Sequence, residues 1–164
     1  MIRKAKDKDS ETIADIYNYY IRNTVITFEE TEITAADISS RIERVNKAKL
    51  PWLVAEVDSK VIGYAYAAKW NERSAYKHTA ETAIYLSRTC LSQGWGTKLY
   101  EALFTELRNL SIHIAIGGVT LPNPASVALH EKFGMHKVAH FEEVGYKFGQ
   151  WLDVGYWQVQ LNAK

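Results

Sequence analysis

Between Glu81 and Leu110 the chain reads ETAIYLSRTCLSQGWGTKLYEALFTELRNL: an apolar-alternating strand, a turn punctuated by Gly94 and Gly96, then a helix with apolar residues three and four apart. This order builds an anion site from backbone. Glycines admit a ligand close to the chain without Cβ obstruction, and the first helical turn leaves N–H groups unpaired at the positive end of the helix dipole. Phosphate or pyrophosphate is the natural guest. The same two glycines also suit an ordinary strand-to-helix turn, so their spacing alone leaves both readings open. Cys90, the single cysteine, excludes an internal disulfide. No histidine lies near it in sequence, so it reads as incidental rather than as a nucleophile.

The flanking segments read as the elements that hold this turn. Residues 2–5 form a short strand, and Asp9 or Ser10 caps a helix with Ile13, Ile16, Tyr17, Tyr20 and Ile21 on one face. Thr34 and Asp37 make a capping pair for a second helix carrying Ile38, Ile42 and Val45, which ends before Pro51. The loop between them, residues 24–33, is placed to line a substrate site. Residues 52–57 and 61–70 read as a β-hairpin with Gly63 at a bulge, and residues 79–86 extend that sheet. Past the glycine turn, Leu99, Leu103, Phe104, Leu107 and Leu110 give a helix its apolar face, and residues 113–121 read as a buried strand. Asn123, Pro124 and Gly134 mark the N-cap, first turn and C-terminal stop of a helix over 124–133. Residues 136–144 and 151–161 are two last strands joined by a turn over 145–149. The order implies a mixed α/β sheet covered by helices.

Composition narrows the partners. The 164 residues suit one domain over residues 1–164, large enough to bury roughly two-thirds of its unfolded surface around a ligand cleft. Lys and Arg number 20 against 19 Asp and Glu, scattered along the chain, so no basic stripe invites nucleic acid and small molecules are the expected partners. No run has the length of a membrane span or a signal peptide, and one cysteine fits a reducing cytoplasm.

The segments LVAEVDSKVIGYAYAAKW (53–70), RSAY (73–76), TAETAIYL (79–86), GWGTKL (94–99), LPNPASVALHEKFGM (121–135) and KFGQWLDVGYWQ (147–158) resemble the GNAT superfamily of acetyl-CoA-dependent N-acetyltransferases, and within it the phosphinothricin and methionine sulfoximine branch. The resemblance covers nearly the whole chain. It implies an α/β (α+β) GNAT fold, a mixed sheet of about seven strands flanked by about four helices, with the central strands splayed around pantetheine. It places the coenzyme pyrophosphate on Ser92, Gln93, Gly94, Trp95, Gly96 and Thr97. Ile84, Tyr85 and Leu86 would then meet the acetyl-pantetheine arm through backbone groups, with an N–H near Tyr85 or Leu86 for the oxyanion, and Asn123 and Lys132 nearby. Leu91 stands where the superfamily places Gln or Arg, which removes one side-chain contact and leaves the backbone donors.

The same resemblance makes Glu81 the general base, which needs a carboxyl pKa above the ordinary value of about 4.3 or a relaying water. His130 occupies the position of a thiolate-protonating tyrosine in many GNAT enzymes, as a general acid or coenzyme contact. Where the branch carries Trp, Arg, x, Arg, x, Ala, Tyr, this chain has Trp70, Asn71, Glu72, Arg73, Ser74, Ala75 and Tyr76. Arg73 keeps one fork for a carboxylate or phosphinate, and Asn71 removes a second positive charge. Phe28 and Tyr76 are apolar walls for the acceptor or simple core aromatics. Lys147, Phe148 and Trp151 match the region where related enzymes pair subunits, which implies a homodimer. The implied activity is direct acetyl transfer, without metal, from acetyl-CoA to the α-amino group of a small amino acid or analogue such as methionine sulfoximine or phosphinothricin. The alternatives are another amine (a protein N-terminus, a polyamine, an aminoglycoside) and a non-catalytic acyl-CoA sensor.

Overall fold

A computed structural model describes residues 1–162. Strands β1 (Ile2–Lys4), β2 (Trp52–Val57), β3 (Lys60–Lys69), β4 (Thr79–Leu86), β5 (Ile114–Leu121), β6 (His136–Lys147) and β7 (Gln150–Gln160) form one sheet in the order β1-β2-β3-β4-β5-β7-β6. Helices α1 (Ser10–Asn23) and α2 (Ala35–Lys47) cover one face, and α3 (Trp95–Asn109) and α4 (Pro124–Lys132) the other. Strand alternation feeds both layers. Ala65, Ala67 and Ala80 point to α3, whose Leu99, Leu103 and Leu107 are fully buried, while Val54 and Tyr64 point to Ile13, Ile21, Ile38 and Ile42. Each buried leucine contributes about 1.5–3 kcal/mol. No helix among the described residues is long and apolar enough to cross a membrane.

The caps behave unevenly. Thr34 accepts from the Asp37 N–H (3.1 Å) while its own N–H donates to the Asp37 carboxylate (2.7 Å), the reciprocal pair expected from the sequence. Thr34→Ala should therefore lower stability by about 1 kcal/mol, read as a fall of about 2–4 °C in Tm. Asp9 precedes α1 but makes no side-chain cap there. Its carboxylate accepts both Arg3 Nη groups (2.7 and 2.9 Å) and the Lys6 N–H (2.7 Å), and the bidentate guanidinium outcompetes a helix N–H.

Gly63 does lie beside a bulge, since Ala55 pairs with it and Glu56 with Val61. The last turn is tighter than expected: Phe148 and Gly149 alone make it, both at positive φ (51° and 74°), as a two-residue hairpin requires. Gly145 instead sits inside β6 opposite Leu152, where a Cβ would come within 2.3 Å of the Phe28 ring.

One departure from regular pairing positions everything that follows. β4 and β5, the sheet's parallel pair, meet only where Thr79, Ala80 and Glu81 face Ile114, Ala115 and Ile116. Beyond Glu81, β4 is held by β3 alone and β5 by β7 alone. The strands splay, as the resemblance implied.

Candidate active site

The splay leaves strand edges without strand partners at the centre of the sheet, and backbone N–H and C=O groups in that situation call for a ligand or water. A cavity of about 190 Å³ occupies the gap, lined from both faces of the sheet. Because side chains alternate along β4, Glu81, Ala83 and Tyr85 face the α1/α2 side, and Thr82, Ile84 and Leu86 face α3 and α4. Glu81 and His130 both line the cavity, from opposite faces.

Glu81 is half-buried and makes no hydrogen bond or ion pair among the described residues. Burial raises its carboxyl pKa, with no partner to offset the lost hydration. Tyr66 shares its cavity, and Tyr156 crosses Gly118 close enough to feel its charge. Trp70 and Phe141 meet the Tyr156 ring edge-on, at 5.4 and 5.8 Å. A carboxylate in an aromatic surround is suited to take a proton from an ammonium.

On the other face His130 is 3% exposed. Its Nδ1 lies 2.6 Å from the Ser126 carbonyl, which only accepts, so Nδ1 carries the proton. Nε2 is then an acceptor for the Tyr100 hydroxyl at 3.2 Å, and that hydroxyl lies 3.4 Å from Thr82 Oγ1. Burial lowers the His130 pKa and keeps the ring neutral. The general-acid reading of His130 needs a proton on Nε2, the nitrogen that faces Tyr100, and this tautomer carries none there. The proton of that hydrogen bond sits on the Tyr100 hydroxyl, and Tyr100 also lines the cavity. Sequence reading did not single out Tyr100; its one signal is a hydroxyl on the otherwise apolar face of α3.

At the glycine turn, Gly94 is the N-cap of α3 at φ 80°, a conformation glycine adopts without strain, and no side chain caps the helix. The N–H groups of Trp95, Gly96 and Thr97 have no acceptor among the described residues. At Gly96 a Cβ would meet Leu129 at 3.4 Å and Ile84 at 3.8 Å, ordinary contacts, so packing within the chain does not itself require glycine there. Lys132 reaches the turn by donating to Thr97 Oγ1 (3.2 Å), which places a cation beside the free donors. Gln93 bonds back to the Thr89 carbonyl, and Ser92 is left-handed at φ 59°. Leu91, 48% exposed, leaves the turn without a polar side chain at its lead position. Ile84, Tyr85 and Asn123 line the gap, although Asn123 spends its carbonyl oxygen on the Ser126 N–H (3.1 Å). The Leu86 carbonyl accepts the Tyr20 hydroxyl at 2.5 Å.

The acceptor-side expectations are distributed differently. Arg73, Ser74, Ala75 and Tyr76 stand on an exposed turn between β3 and β4, outside the residues that line the gap. Ile26, rather than Phe28, lines the gap from the loop over residues 24–33, while Phe28 packs on Gly145. That loop is pinned from beneath. Tyr17 bonds Thr27 and Glu29, Glu29 takes both Arg41 Nη groups (2.9 and 2.6 Å), and buried Lys147 donates to the Thr27 carbonyl (2.8 Å).

Residues 2–155 match the family described as acetyltransferase (GNAT) domain. The chain is 36% identical to a phosphinothricin N-acetyltransferase of Streptomyces viridochromogenes over 96% of its length and 85% of the relative's. It is 30% identical to an L-methionine sulfoximine/L-methionine sulfone acetyltransferase of Salmonella typhimurium, covering 98% and 94% of the two chains. A solved GNAT phosphinothricin acetyltransferase of Sinorhizobium meliloti, in complex with acetyl-CoA, superposes with a TM-score of 0.96 at 32% identity, over 99% of this chain and 88% of that one. A parallel pair splayed around a lined gap, an uncapped helix turn beside it and matches of this extent lead to one assignment: the chain belongs to the GNAT family of acetyltransferases.

Proposed function

We propose that this protein transfers the acetyl group of acetyl-CoA to the α-amino group of a small amino acid or analogue, with phosphinothricin and methionine sulfoximine among its acceptors. The observation that carries the reading is the two-sided gap. An unpaired, partly dehydrated carboxylate lines one side and a proton-bearing phenol the other, with the free-donor helix turn packed behind Ile84.

Glu81 takes the proton from the acceptor ammonium, and the freed amine attacks the thioester carbon. The N–C bond forms as the C–S bond breaks, without an acyl-enzyme. The unpaired β4 edge near Tyr85 supplies N–H groups for the oxyanion. Tyr100 turns its one hydroxyl proton from His130 Nε2 to the departing thiolate and is replenished from water. The N–H groups of Trp95, Gly96 and Thr97, with Lys132, hold the pyrophosphate. Arg73 remains the candidate fork for the acceptor carboxylate, reached by movement of its exposed turn. A homodimer accompanies this reading: β6 is an edge strand, and Phe148 (57%), Trp151 (63%) and Tyr146 (56%) stand exposed at its hairpin.

The test is release of coenzyme A thiol with acetyl-CoA and a panel of phosphinothricin, methionine sulfoximine, ordinary amino acids, polyamines and an aminoglycoside. Turnover confined to the amino acids and their analogues is expected. Turnover only with polycations would overturn the acceptor assignment, and coenzyme binding without any turnover would point to a sensor.

A further inference from the structure

A second cavity, of about 460 Å³, lies over the same face of the sheet as Glu81, between α2 and β3. Its rim is cationic: Arg41, Arg44, Lys47 and Lys69 face it against a single carboxylate, Glu72. Two of these cations are engaged elsewhere, Arg41 by both oxygens of Glu29 and Lys47 by Glu43 at 2.8 Å. Arg44 has no ion pair or hydrogen bond among the described residues, and Lys69 has only a 3.4 Å approach to exposed Glu72. The wall is Trp52 stacked on Tyr66 at 4.1 Å, and the buried Trp52 indole N–H has no acceptor among the described residues, a donor left for an occupant or a water to satisfy.

This cavity adjoins the proposed acceptor site. Tyr66 lines both, and Ala68, on the cavity's β3 side, is the direct cross-strand partner of Glu81. Cross-strand partners hold their Cβ atoms about 4.5–5.5 Å apart on one face. Arg41, Arg44 and Glu81 all act on the Tyr66 phenol, which places it electrostatically between the two sites. An amino acid whose α-nitrogen meets Glu81 and whose side chain crosses two methylenes reaches about 5 Å further, the span of four bonds. That distance leads past Ala68 toward the cavity rimmed by Arg44 and Lys69.

We infer that Arg44 and Lys69 form a specificity subsite for an anionic group at the distal end of the acceptor's side chain, so that this enzyme favours amino acids with a second acid over neutral ones of the same shape. The inference rests on the α-amino acetylation reading and names its substrate class. Phosphinothricin and methionine sulfoximine make the comparison, because both carry a methyl-bearing tetrahedral head after two methylenes and only the phosphinate is charged.

The experiment measures kcat/KM for both acceptors in the wild type, in the double variant Arg44→Gln, Lys69→Gln and in Arg44→Lys. The wild type should prefer phosphinothricin, the double variant should lose about tenfold of that preference through the KM for phosphinothricin, and Arg44→Lys should keep most of it. A preference that survives the double variant, or kcat/KM values that fall together for both acceptors, overturns the subsite. If the wild type turns over neither acceptor, the acetylation reading fails separately. Calorimetric binding of the two compounds to protein loaded with coenzyme A then decides the subsite: tighter phosphinothricin binding that weakens in the double variant supports it, and equal or absent binding overturns it.

Discussion

Glu81→Gln should lower kcat/KM for acetylation by about 10²–10⁴-fold, the range over which a positioned general base acts. It should do so without cost to the fold. Glutamine keeps the shape and most of the polarity of a side chain that makes no ion pair in the native state, so nothing structural is removed. The pH profile separates this role from a structural one. Burial raises the Glu81 pKa, so the carboxylate form, and with it wild-type kcat/KM, is lost as pH falls through a value above the usual carboxyl range. That limb should vanish in the variant.

Stability should move the other way. A carboxyl whose folded pKa is raised binds its proton more tightly in the native state, so wild-type stability falls as pH rises from the unfolded value of about 4.3 through the folded one. At neutral pH the burial cost is fully present, and Glu81→Gln removes it. Thermal unfolding should show the variant at least as stable as wild type at pH 7.5, with the difference gone below pH 4. A variant that is active, or one that melts earlier at neutral pH, would mean that Glu81 serves the fold and the proton leaves by another route.

The contrast between these readouts mirrors what the sequence could reveal. Elements defined by local chemistry were legible: the Thr34 and Asp37 capping pair, the Asn123 and Pro124 helix start, and the alternation that carries Glu81 and Thr82 to opposite faces of β4. Competition between distant groups was not. Asp9 has the composition of an N-cap, but Arg3, on the neighbouring strand, claims it. Tyr100 reads as one more apolar residue on α3 until His130 and Thr82 arrive from 30 residues ahead and 18 behind. The tautomer of His130 depends on one carbonyl in its own helix, which makes Nε2 an acceptor and which no spacing in the sequence announces. The Arg44 and Lys69 cavity had no sequence signature, since its cations come from a helix and a strand joined by nothing but packing.

Gly117→Ala should couple a packing defect to the thiol side of the reaction. Gly117 is buried on β5, and a Cβ there would lie 2.5 Å from His130 Nε2 and 2.9 Å from its Cδ2. The ring cannot swing aside freely, because Nδ1 holds the Ser126 carbonyl and Tyr100 meets it edge-on at 5.4 Å. Overpacking of this kind costs about 1–3 kcal/mol, so Tm should fall by about 2–12 °C. If Tyr100 donates to the leaving thiolate, moving its acceptor should also lower kcat by about tenfold or more among molecules that remain folded. Tyr100→Phe separates the two effects, since it keeps the ring that packs on Phe104 at 5.2 Å and removes only the hydroxyl. A matching loss of kcat in Tyr100→Phe, with KM for the acceptor little changed, is the expected result. Wild-type kcat in Tyr100→Phe would assign the thiolate's proton to water and leave Gly117 with a purely steric reason to be glycine.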